Sequence, residues 1–183
     1  KLEEAIEAYK KALVIKPDFA EAYSNMGVAL QDQGKLEEAI EAYKKALVIK
    51  PDFAEAYSNM GVALQDQGKL EEAIEAYKKA LVIKPDYAEA YSNMGIALAD
   101  QGKLKEAIEA YNKALAIKPD YAEAHKNLSI LTKYTSDTAQ ISEVKALLQQ
   151  ADIGESDRCN LLYTNAKMQE DLGDLSAAYA SYV

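Results

Sequence analysis

The sequence predicts an all-α chain of antiparallel helix pairs stacked into an α-solenoid. Three observations carry that prediction. Residues 1–34 and 35–68 are identical, and residues 69–102 differ from them only at Tyr87, Ile96 and Ala99, so the period is 34. All four prolines, Pro17, Pro51, Pro85 and Pro119, fall at one phase of that period. Within each period two apolar patterns of helical spacing are separated by a glycine.

In chain order, Lys1–Ile15 reads as a second-type helix without its partner, so the array is expected to be entered in mid-repeat with an apolar seam left open at that end. Residues 18–49, 52–83 and 86–117 are regular units, 120–150 a degenerate unit, and 155–183 a degenerate terminal unit, all in one array. In the second regular unit Tyr57, Met60, Gly61 and Leu64 share one helical face, as do Leu70, Ala73, Ile74, Tyr77 and Leu81. Asp52 and Glu55 read as a capping box, Pro51 stops the preceding helix, and Gly68 supplies a left-handed C-terminus. A glycine inside a helix costs about 1 kcal/mol against alanine, so its recurrence at 27, 61 and 95 predicts close helix packing that offsets the loss.

The fourth copy departs first at Lys105, Asn112 and Ala116 and drifts after His125, with Ser129 where glycine stood. The pattern returns at Leu162, Ala166, Gly173, Ala178 and Tyr182 after an insertion of three residues carried by the loop ADIGESD.

Composition narrows the function. Thirty acidic against 21 basic residues, a formal charge of −9, leave no concentrated positive charge for nucleic acid or an anionic membrane surface. No apolar run is long enough to span a bilayer. One cysteine and one histidine exclude an internal disulfide and a thiolate or imidazole metal cage, and a reducing, cytoplasmic setting is expected. His125 stands where Tyr91 stands one period earlier and reads as a packed substitute, not a base. Cys159 reads as a buried or half-buried structural thiol. Tyr9, Tyr43, Tyr77 and Tyr111 form one column and read as core, not as a stacking platform for bases. Neighbours such as Glu37 and Glu38 point about 100° apart on a helix and make no acid–base dyad. There is no phosphate-binding glycine motif, so neither catalysis nor a cofactor is expected.

Tyr57, Met60-Gly61, Leu64, Ala73, Tyr77, Ala80 and Pro85 match the signature of the tetratricopeptide repeats, with Tyr in place of Trp at its first position, and residues 1 to about 126 resemble that family. The resemblance implies a right-handed superhelix with the first helix of each pair on the concave side, and protein or peptide as the partner. It implies that Glu55, Ser58, Asn59, Val62, Gln65 and Asp66 of the second unit face the groove. Across the units the expected peptide-binding set is Asn25, Asn59, Asn93 and Asn127, Ser24, Ser58 and Ser92, Val28, Val62 and Ile96, Gln31 and Gln65, with Asp32, Asp66 and Asp100.

A carboxamide offers both a donor and an acceptor, so an asparagine column can grip a peptide backbone whatever its side chains. It resembles the asparagine ladder of the arrays attached to O-GlcNAc transferases. The same asparagines could instead bond neighbouring helices. The first three units place no Lys or Arg on this face, which argues against a carboxylate clamp, and Glu21, Glu55 and Glu89 with the aspartates favour a neutral or basic segment. Two other readings stand beside the scaffold. One is a spacer array that self-associates head to tail through the Lys1–Ile15 end. The other is the substrate-recruiting region of a larger enzyme, since the tail resembles the end of bacterial arrays that precede a sulfotransferase-like domain.

Overall fold

A computed structural model describes residues 1–136 and 138–182, less the side chains of Ala180 and Tyr182, so the expected core role of Tyr182 lies outside the described residues. It is all-helical among those residues and forms two compact units, Lys1–Gln101 and Gly102–Val183.

The first unit holds α1 (Leu2–Ile15), α2 (Ala20–Asp32), α3 (Leu36–Ile49), α4 (Ala54–Asp66), α5 (Leu70–Ile83) and α6 (Ala88–Asp100). Each first-type helix ends on a glycine with positive φ, +73° at Gly34 and +74° at Gly68. There Gly68 N–H donates to Gln65 O at 2.8 Å and Lys69 N–H to Leu64 O at 2.9 Å, which satisfies carbonyls the helix leaves open. The capping box is not formed. Helix α4 starts at Ala54 with Phe53 as its N-cap and no side-chain cap bond, so Asp52 lies one residue too early. The Phe53 carbonyl instead receives Ala56 N–H at 3.1 Å and Tyr57 N–H at 3.2 Å.

The interior glycines have a specific reason. A Cβ on Gly27 would lie 2.6 Å from Tyr43 Cε1, and one on Gly61 2.6 Å from Tyr77 Cε1. The Tyr43 ring of α3 packs on Gly27 of α2 and the Tyr77 ring of α5 on Gly61 of α4, and both tyrosines are fully buried. Tyr9 on α1 is only half-buried. Leu13 is likewise half-buried where Leu47 and Leu81 are buried, and Ile15 is exposed where Ile49 and Ile83 are half-buried.

Successive pairs are joined by apolar clusters. Ala46, Leu47 and Ala56 pack with Tyr23, Phe53, Tyr57 and Met60, and one period on Ala80, Leu81 and Ala90 pack with Tyr57, Tyr87, Tyr91 and Met94. Tyr57 belongs to both, which makes the core continuous along the unit. Consecutive first helices touch more than consecutive second helices do. The first helices α2, α4 and α6 thus form one continuous side of this unit.

The second unit contains α7 (Leu104–Ile117), α8 (Ala122–Leu131), α9 (Ala139–Leu148), α10 (Glu155–Asp171) and α11 (Leu175–Tyr182). Helix α8 stops at Leu131, and the chain turns extended at Thr132 with φ −112° and ψ 137°. That early stop lets Tyr134 enter the core from the loop, beside Ala122, Ile141, Val144, Leu161 and Met168. Its N–H donates to Asp171 Oδ2 at 3.2 Å, tying the loop to α10. The Asp171 carboxyl is held below its usual range, chiefly by its hydrogen bond from Lys167.

The candidate interaction face of the first unit

On α2, α4 and α6 the predicted site residues separate into three groups. Ser24, Ser58 and Ser92 are buried, which removes them from the expected contact surface. Their position in the helix turns toward the aromatic that opens the next first helix. Ser58 hydrogen-bonds Tyr87, whose phenol burial nevertheless raises above its usual range. The equivalent of Tyr87 one period earlier is Phe53, which brings no hydroxyl to Ser24.

Gln31 and Gln65, half-buried, are engaged within the protein. Tyr43 OH donates to Gln31 Oε1 at 3.2 Å, and Gln31 Nε2 donates to Asp66 Oδ2 at 3.0 Å. One period on, Tyr77 OH donates to Gln65 Oε1 at 3.2 Å, and Gln65 Nε2 to Asp100 Oδ2 at 3.4 Å. Each relay runs from the tyrosine that seals one pair, through its glutamine, to the aspartate of the following first helix. Burial pushes both tyrosine phenols far above their usual range, with Asp32 and Asp66 adding to the effect. Ala99 replaces the third glutamine of the series.

The acidic rim is also partly engaged. Lys50 Nζ lies 3.2 Å from Glu21 Oε1, and Lys84 Nζ 3.7 Å from Glu55 Oε1. The same lysines cover the rings of Phe53 and Tyr87, each at 4.6 Å from the centroid. A hydrogen bond from its own backbone and then Lys50 hold the Glu21 carboxyl below its usual range. These pairs are exposed, so each contributes little to stability.

What remains open is the asparagine column with its apolar neighbours. Asn25 is exposed, and Asn59 and Asn93 are half-buried. No described residue hydrogen-bonds to their carboxamides, so they do not staple neighbouring helices. Val28 is exposed, and Val62 and Ile96 are half-buried. Asp32, exposed, has no glutamine before it in the relay. Helices α2, α4 and α6 contain no Lys or Arg. Asn127 sits on α8 in the second unit, half-buried and likewise without a hydrogen bond among the described residues.

The other chemically notable side chains lie in the second unit. His125 is fully buried, 2.8 Å from Pro119 O through Nε2 and 3.3 Å from Gln140 Nε2 through Nδ1. A carbonyl only accepts, so Nε2 carries the proton and Nδ1 accepts from the amide. Gln140 Oε1 then takes the Tyr134 hydroxyl at 2.7 Å. Burial lowers the imidazole pKa, and burial also pushes the Tyr134 phenol up to about 12. Cys159, expected to be buried or half-buried, is exposed, because its side of α10 faces away from the cluster that Leu161 and Met168 enter. Among the described residues no cluster of three or more His, Cys, Asp or Glu could hold a metal ion, and no helix is long and apolar enough to cross a membrane.

Comparison with known proteins agrees with this architecture. The TPR repeat profile matches residues 1–34, 29–68 and 64–102, and the tetratricopeptide repeat profile matches residues 88–121. The chain belongs to the tetratricopeptide repeat family and folds as a helical repeat solenoid, the scaffold class that serves protein interaction. No curated protein sequence matches it. Among solved structures it is similar to MamA, at 27% identity and a TM-score of 0.68 over 99% of this chain and 88% of that one. The first TPR of Spaghetti (RPAP3), bound to the HSP90 peptide SRMEEVD, is 28% identical with a TM-score of 0.60, over 61% of this chain and 89% of that one. YrrB, described as a TPR protein with an unusual peptide-binding site, shares the fold at 20% identity and a TM-score of 0.69, over 96% of this chain and 89% of its own.

Proposed function

We propose that the first unit is a peptide-binding scaffold that holds an extended polypeptide along the first-helix face through Asn25, Asn59 and Asn93. One observation carries this reading. The surrounding polar groups Ser58, Gln31, Gln65, Asp66, Asp100, Glu21 and Glu55 are engaged inside the protein, while the carboxamides are left without partners on an accessible face. An unpaired amide of this kind can take a backbone C=O and N–H at once, and Val28, Val62 and Ile96 supply apolar contact beside it.

The partner is a neutral to basic segment. Because Lys50 and Lys84 neutralise Glu21 and Glu55, selection against acidic peptide rests on the absence of Lys and Arg from α2, α4 and α6, with Asp32 and Glu89 making no ion pair with any described residue. The acidic HSP90 peptide held by the RPAP3 repeat is the contrasting chemistry. Residues 120–150 and 155–183 are read as degenerate repeats, and the left-handed Gly173, φ +85°, three residues past the strict phase of Gly34, supports that division.

The test is a peptide-library capture with the whole chain beside an Asn59→Ala, Asn93→Ala double variant, both checked for equal helicity by circular dichroism. Extended peptides retained by the chain and released by the variant are expected. Equal retention by both proteins, or retention by neither, would overturn the reading.

A further inference from the structure

The opposite side of the first unit, formed by the second helices, carries a repeated feature of its own. Between α1 and α3 lies a groove of about 310 Å³, and between α3 and α5 its equivalent of about 320 Å³. The floor of the first is Met26, Leu30 and Ala42, and that of the second Met60, Leu64 and Ala76. Leu30, Ala42, Leu64 and Ala76 are buried, so the accessible floor is the half-buried methionine, a flexible and polarizable surface that adapts to an inserted apolar side chain.

The rim of the first groove carries Glu37, Glu38 and Glu41 with Lys10 and Lys45, and that of the second Glu71, Glu72 and Glu75 with Lys44 and Lys79, so each has one more carboxylate than ammonium group. Glu41 is tied to Lys44 at 2.9 Å and Glu75 to Lys78 at 3.1 Å, within their own helices. Lys45 and Lys79 lean over the rings of Tyr23 and Tyr57, at 5.8 and 5.7 Å. Glu37 and Glu38 on the first groove, and Glu71 and Glu72 on the second, are exposed and make no ion pair with any described residue. They open the first turns of α3 and α5, where the helix dipole favours them. That accounts for carboxylates at a helix start, but not for an open apolar floor beneath them in each copy.

We propose that this second-helix face is a separate docking surface for a basic amphipathic polypeptide of another protein. A large aliphatic or aromatic side chain seats on Met26 or Met60, and flanking Lys or Arg meets Glu37 and Glu38 or Glu71 and Glu72. Because the grooves recur with the repeat, one partner bearing the motif twice engages both, and the second engagement is intramolecular. The surface is distinct from the asparagine column, and its occupancy does not depend on it.

The experiment uses the full chain and a fluorescein-labelled helical peptide of leucine and lysine, read by fluorescence anisotropy at moderate salt. The groove variant is Glu37→Gln, Glu38→Gln, Glu71→Gln, Glu72→Gln; the control makes the same change of net charge in the turns, Asp18→Asn, Asp52→Asn, Asp86→Asn, Asp120→Asn. The groove variant is expected to bind about tenfold more weakly, about 1.4 kcal/mol, with the turn variant almost unchanged. A peptide with serine for leucine is expected to lose a similar factor. Equal loss in both variants, or serine peptide bound as well as leucine peptide, would reduce the effect to bulk charge attraction and overturn the proposal. So would absence of binding, or loss of binding in the Asn59→Ala, Asn93→Ala variant, which would put the peptide on the other face.

Discussion

The two units solve one packing problem in different ways. In the first, the contact inside each helix pair is a ring on a glycine, Tyr43 on Gly27 and Tyr77 on Gly61, and the hydroxyl of that ring starts a relay to the next pair. In the second, Ser129 stands at the glycine's place and is itself buried, bonding the Lys126 carbonyl at 2.7 Å. The tyrosine there comes from a loop, and the polar core is the chain Tyr134, Gln140, His125, Pro119. Shape complementarity can be copied verbatim, because each copy brings its own partner. A network that joins a loop, two helices and a turn is made once and depends on all of its members. The repeats that stayed identical use the first device, and the stretch that drifted uses the second.

The largest expected effect tests the ring-on-glycine contact. Gly61→Ala gains about 1 kcal/mol of helix propensity but forces a methyl against the fully buried Tyr77, an overpacking cost of about 1–3 kcal/mol. The two together give a net loss of up to about 2 kcal/mol in urea unfolding. An alanine variant as stable as the parent would show that the ring is free to move aside.

A smaller effect separates the units by pH. Burial lowers the His125 pKa, with Glu143 and Asp120 opposing, so the folded state holds the neutral imidazole. The stability this contributes is complete above the unfolded value near 6.5 and is lost as pH falls below it. Tyr43 and Tyr77 act at the other end of the scale. Their raised pKa values favour the neutral phenol, so their contribution is complete below about pH 10 and is lost as pH rises beyond that. Hydrogen exchange should therefore loosen the second unit first in acid, whereas in alkali both units loosen, the first by more because it holds two such phenols against the single Tyr134 of the second. His125→Tyr, which restores the residue found at Tyr91, should abolish the part of the acid response that sets in just below pH 6.5, leaving the later loss from Asp171; an unchanged onset would assign it to another group.

The smallest effect sharpens the comparison between copies. Phe53→Tyr would give Ser24 the partner that Tyr87 gives Ser58, and a gain of about 0.5–1 kcal/mol is expected. Thermal unfolding of this single variant measures it, and a loss of stability would mean that the two copies differ in geometry as well as in sequence.

The sequence by itself determined the repeat, the helix pairs, the glycine stops and the asparagine column, because each follows from local periodicity or from a residue's own backbone preference. It also signalled close packing at Gly27 and Gly61, since a helical glycine repeated in register needs a compensating contact. Which side chains the column's neighbours would use was not legible. Periodicity assigns a residue to a face but not to a partner one repeat away. Hence Ser58, expected in the groove, is buried against Tyr87, and Gln31 and Gln65, expected to meet a ligand, bond aspartates 35 positions ahead. The capping box failed for a related reason: its letters were present, but the turn after Pro51 set the helix start one residue later. Where the pattern decayed, after His125, the tertiary structure decided everything, because a buried hydrogen-bond network and an early helix stop answer to the shape of the surrounding core and leave no period in the chain.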